Sequence, residues 1–148
     1  MVAFKMVADA ELQDSLCKYS SGTVKLNARE FLFHQGDEAS GCYLVRRGTV
    51  LLYMEARAGK RVLGRELGTG GIVGLPATIN SNPLSLSCRV VEDAELAFLS
   101  RNDLTELMRN NVGAAMKILD LLSTEVQLTR KQAARYIRPP RPKGARGD

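Results

Sequence analysis

The side chains able to do chemistry are few and scattered. A single histidine, His34, cannot by itself build the multi-imidazole centres of cupin oxygenases and zinc hydrolases, so no metal site is expected. It reads as a half-exposed strand residue. Cys17, Cys42 and Cys88 are odd in number, far apart and outside any C-x-x-C spacing, so they are expected to be thiols rather than a disulfide framework or a zinc knuckle. No cysteine–histidine pair offers an activated nucleophile, and Glu92, Asp93 and Glu95 are expected at a strand turn rather than as an acid/base pair. The inventory therefore predicts no catalytic residue and a non-enzymatic chain.

The elements that would position a binding site follow from length and patterning. At 148 residues and 16.2 kDa the chain has room for one core, and 45% hydrophobic with 25% charged residues is the composition of a folded domain. The longest apolar runs fall far short of the roughly 20 residues a membrane span needs, and the acids before Leu16 do not suit a signal peptide. A cytoplasmic protein without membrane attachment is the expectation.

The net charge of +5 is uneven. Residues 130–148 hold seven basic groups against one acid, Asp148, which leaves residues 1–129 near neutral at −1. The basicity lies in Arg138-Pro-Pro-Arg-Pro-Lys-Gly-Ala-Arg-Gly, which reads as a solvated terminus before it reads as an arm for nucleic acid or an acidic partner. The division is a domain over 1–137 and a disordered tail over 138–148.

Asp9 can cap a short helix that carries Leu12 and Leu16, and short strands follow at Thr23–Leu26 and Arg29–His34. From there to Leu99, β-rich runs recur about every ten residues: Cys42–Val45, Val50–Met54, Val62–Leu67, Leu86–Val91 and Glu95–Leu99. They are punctuated by glycine at Gln35-Gly36, Ser40-Gly41, Arg47-Gly48, Ala58-Gly59 and Leu67–Gly71, the rhythm of an antiparallel barrel or jelly roll. After Leu99 the period becomes helical. Ser100 can cap a helix from Leu104 to about Arg109, Asn110-Asn111 interrupts it, and a longer helix follows. In that helix Ala115, Leu119, Leu122, Val126, Thr129, Ala133 and Tyr136 form a heptad seam. The seam can meet its own copy in a homodimer or pack on its own chain.

Three stretches carry a family resemblance. Leu32-Phe-His-Gln-Gly-Asp through Gly48-Thr-Val resembles the early strands of cyclic-nucleotide-binding domains, and Leu67-Gly-Thr-Gly-Gly-Ile-Val-Gly is similar to the approach to their phosphate cassette. Val91 to Leu104 resembles their last strand and following helix. The likeness is strongest to the sensor domain of bacterial CRP/FNR-type regulators. It implies a mainly β double-stranded β-helix (jelly roll) with a short N-terminal helix and a C-terminal dimerisation helix.

The resemblance also implies where a ligand would sit: Gly74, Leu75, Pro76, Ala77, Leu84, Ser85 and Leu86. In the family pattern a Glu holds the ribose, an Arg pairs with the cyclic phosphate, and amides of a short helix cradle that anion. Here Leu75 stands at the Glu position and Leu84 at the Arg position, while Pro76 suits a first helical turn and Ser85 keeps a hydroxyl. Losing a buried charged partner costs roughly 2–5 kcal/mol, which argues against tight cAMP binding. Arg65 and Arg89 are the nearby cations. Ala133 and Ala134 align where activator-type relatives touch adenine with small hydroxyl residues. Too few cysteines are present for an iron–sulfur sensor, and His34 alone does not suit haem. The 22 residues after Val126 contain three prolines and leave no room for a helix-turn-helix, so sequence-specific DNA reading by this chain alone is not expected. The expected function is a regulatory module that binds a small effector, a cyclic nucleotide or another metabolite, and relays it through the dimer helix to a separate protein partner. The alternative is a ligand-free scaffold of the same fold.

Overall fold

The computed structural model describes residues 6–55 and 61–136, with side chains described over 6–55 and 64–127. The expected turn at Ala58-Gly59, the boundary between 137 and 138, and the tail lie outside the described residues. The element order is α1 (Ala10–Tyr19), β1 (Gly22–Leu26), β2 (Phe31–Phe33), β3 (Gly41–Glu55), β4 (Arg61–Leu67), β5 (Ile72–Val73), α2 (Leu75–Asn80), β6 (Ser87–Ser100), α3 (Arg101–Asn110) and α4 (Val112–Tyr136).

Local chemistry sets the helix ends. The Leu12 amide donates to Asp9 Oδ1 at 2.8 Å and starts α1, which buries Leu12 and Leu16 one turn apart. Ser100 and Asp103 form a reciprocal capping box, so α3 begins at Arg101, three residues before the first apolar residue of the helical pattern. Asn111 ends α3 and its Oδ1 accepts from the Ala114 amide at 3.0 Å, so one side chain closes one helix and opens the next.

Two pairs of expected strands are each one long strand. β3 runs unbroken through Gly48, and β6 runs unbroken through Glu92 and Asp93. Those carboxylates therefore lie along a strand rather than at a turn, where Glu92 accepts from the Thr49 hydroxyl and Asp93 Oδ1 from the Ala28 amide at 2.8 Å. The β3–β6 pairing absorbs the irregularity by shifting register between Val45 and Val50. Gly48 makes this work: its φ is +89°, and a Cβ there would collide with the Asp93 carbonyl oxygen.

The sheet is antiparallel throughout its named pairings, along the path β1-β6-β3-β4, with β2 also on β6 and β5 also on β3. Each long strand thus changes neighbour along its length, which rolls the sheet on itself and produces the expected jelly roll. Two apolar clusters result. One fills the roll, from Phe33 and Val45 across to Cys88 and Leu96. The other lies between the sheet and α1, α3 and α4, built on Leu12, Leu16, Leu99, Leu107 and Ile118.

α4 has two faces. Ala114 and Ile118 are buried, and Leu121 and Leu122 pack against the helix-side cluster. Met116, Leu119 and Val126 are 60%, 50% and 49% exposed, and Ala115 is half-buried. Leu122 is thus a residue that the chain covers itself, at one edge of the expected seam, while Leu119 and Val126 lie open. The side chains of Thr129, Ala133, Ala134 and Tyr136 lie outside the described set. Lys117 fixes α4 to the start of α1 through Asp9 at 2.9 Å and Glu11 at 3.1 Å.

Candidate ligand cassette

The segment from Gly74 to Leu86 joins the two clusters. Gly74 has φ +80°, and a Cβ on it would stand 3.2 Å from the Gly41 carbonyl oxygen, so the chain turns into α2 where a larger residue would be strained. Pro76 sits in the first turn, where its missing N–H is no loss. Within the single turn and a half of α2, Leu75 is buried in the helix-side cluster with Ile79 packed beside it, whereas Ala77 is buried in the roll. The buried Thr78 hydroxyl donates back to the Gly74 carbonyl at 2.7 Å. Ser81, at φ +58°, closes the helix, and its hydroxyl accepts from Arg101 on α3.

After α2 the chain returns to the roll. The Leu84 amide donates to the Asp37 carbonyl at 2.9 Å, and the Leu84 carbonyl accepts from Gly36 at 2.8 Å. Its side chain is buried in the roll cluster, with Leu86 half-buried beside the same cluster, while Pro76 and Ser85 are exposed. Leu75 and Leu84 therefore stand in different cores. The cassette is brought together as a backbone segment, but its two leucines face opposite sides of it.

The two nearby arginines also differ in side. Phe33, Cys88, Leu52 and Arg65 are directly opposed across β2, β6, β3 and β4, so they form one row on one face of the sheet. Phe33, Cys88 and Leu52 are buried in the roll, so Arg65 belongs to the inner face. The neighbouring row, Arg89, Leu51 and Glu66, belongs to the outer face by strand alternation. Arg89 Nε is buried there without a hydrogen-bond partner among the described residues. Register, which a single sequence does not display, is what separates the two.

An open cleft of about 210 Å³ lies beside Leu84. Leu32, Phe33 and Tyr43 share its walls with Leu84, and Asp37, Glu38, Ser40 and Gly41 complete its lining. Its two carboxylates oppose an anionic phosphate, and its volume is under the roughly 300 Å³ at which ligand pockets begin. His34 lies one residue beyond β2, exposed and stacked on Phe31 at 4.4 Å. Among the described residues no cluster of three or more metal-ligating side chains occurs, and no helix is long and apolar enough to cross a membrane. All three cysteines are free; burial pushes the Cys42 and Cys88 thiols up to about 12.

A rolled antiparallel sheet with a short cassette helix, held between an N-terminal helix and a C-terminal helical pair, defines a class of β-roll domain. The chain belongs to the cyclic nucleotide-binding domain family, whose pattern matches residues 23–111. The catabolite activator protein of Thermus thermophilus superposes with a TM-score of 0.77 at 26% identity, over 85% of this chain and 59% of that one. The c-di-GMP responsive global regulator CLP of Xanthomonas campestris gives 0.70 at 26% identity, over 86% of this chain and 64% of that one. Patatin-like phospholipase domain-containing protein 6 of Pongo abelii is 27% identical over 101 residues, 68% of this chain. The chain spans only 7% of the length of that relative.

Proposed function

We propose that this chain is a non-catalytic sensing module: a small effector at the cassette shifts the packing of the roll against α4, and a homodimer formed through α4 passes the change to a separate protein partner. The observation that carries this reading is the two-faced α2. Leu75 and Ile79 belong to the cluster that holds Ile118 of α4, and Ala77 belongs to the roll, so a displacement of a helix this short disturbs both cores at once. An effector that favours one packing draws the population toward it.

At the two positions where the family pattern implies a Glu on the ribose and an Arg on the cyclic phosphate stand two buried leucines, Leu75 and Leu84. The effector site therefore relies on backbone amides and apolar contact at residues 74–86, supplemented by whatever cation the roll offers. The test is a thermal-unfolding screen of the purified chain against small metabolites, with mass recorded beside it. An effector at about 100 times its dissociation constant adds roughly 2.7 kcal/mol, which raises the midpoint by roughly 5–10 °C. No response from any compound on a folded dimer favours the ligand-free scaffold, a reading supported by the filling of the roll by Leu52, Leu84 and Leu96.

A further inference from the structure

We propose that Arg65 determines specificity at the effector site: it supplies, from the inner face of β4, a guanidinium that pairs with an anionic group on an otherwise apolar ligand. The inference rests on the sensing reading for the location of the site and goes beyond it in naming the residue and the ligand's chemistry.

The row Phe33–Cys88–Leu52–Arg65 crosses four strands, and its first three members are buried in the roll. Along β4 the alternation agrees, with Gly64 and Glu66 exposed and Leu67 buried in the same cluster. Val50 and Leu67 form the next row, so Arg65 stands among aliphatic side chains on an inner face that also includes Ala77 and Leu84 of the cassette. It is half-buried, and among the described residues it has neither an ion pair nor a side-chain hydrogen bond. Glu66, its acidic neighbour in sequence, is on the other face. A guanidinium turned toward an apolar interior loses hydration that only an anion restores well, and its planar fork matches the two oxygens of a carboxylate or phosphate. The aliphatic surroundings favour a ligand body that is apolar. Arg89 cannot take this role from the outer face.

The experiment uses the full chain and three probes with one apolar body: octanoate, octyl phosphate and octan-1-ol, each titrated by calorimetry. The expected result is saturable binding of at least one anion, with octan-1-ol at least about tenfold weaker. Whichever anion binds more tightly identifies carboxylate or phosphate as the preferred head. Arg65→Gln should lose about tenfold or more of the anion's affinity, and Arg65→Lys, which keeps the charge but not the fork, should fall between. Equal binding of octan-1-ol, no saturable binding of either anion, or affinity unchanged in a folded Arg65→Gln would overturn the proposal. Amide exchange along α4 separates the two readings: Arg65-dependent binding that leaves α4 exchange unchanged supports the residue's role and removes the relay.

Discussion

At the scale of single residues, the most telling positions are those where charge gives way to carbon. Leu75 and Leu84 were legible in the sequence as departures from the family pattern, but not the fact that they enter different cores. That depends on α2 placing Leu75 and Ala77 on opposite faces, and the helix itself was implied only by resemblance. Arg65 and Arg89 were equivalent in the sequence and are separated by register alone. The buried thiols give a residue-scale prediction. Burial raises the Cys42 and Cys88 pKa from an ordinary 9.0 to about 12, so the unfolded chain ionises first and stability must fall as pH rises from 9 toward 12. Unfolding midpoints across that range should decline in the wild type, and more gently in a Cys42→Ala/Cys88→Ala double variant. Parallel slopes would show that other groups carry the alkaline loss.

At the scale of elements, the sequence displayed the period-two runs but hid their continuity. Gly48 reads as a turn, and Glu92-Asp93 reads as a strand turn, yet both lie within long strands because opposing register shifts take up the irregularity. The two features are one device, since Gly48 passes directly over Asp93. Gly48→Ala should therefore cost about 1–3 kcal/mol or more, read as a lower midpoint in urea, whereas an alanine at half-buried Gly22, where a Cβ would meet nothing within 4 Å, should change stability by less than about 1 kcal/mol. A tolerant Gly48 would mean that the β3–β6 crossing can relax. In α4 the heptad spacing was visible, but packing decides which residues remain free: Leu122 is drawn into the chain's own core, and Leu119 and Val126 remain open. Leu119→Glu with Val126→Glu should accordingly yield a folded chain whose scattering mass falls from a dimer to the 16.2 kDa monomer. An unchanged mass would take α4 out of any dimer.

At the scale of the whole molecule, the β-roll with its flanking helices was legible because strand rhythm, turn glycines and the late change to helical period all pointed the same way. The charge distribution was legible too, and it keeps residues 1–129 near neutrality. What the family likeness could not supply is the effector, because leucines stand at the two positions where the resemblance implies charged grips, within a segment that lies between the two cores. The direct test is a calorimetric titration of cAMP into the full chain. Loss of the cassette's charged contacts, at roughly 2–5 kcal/mol, would weaken a site of about 1 μM to a dissociation constant of about 30 μM or more. Saturable binding below about 1 μM would contradict the account, showing that the roll grips a cyclic phosphate without the cassette's charges.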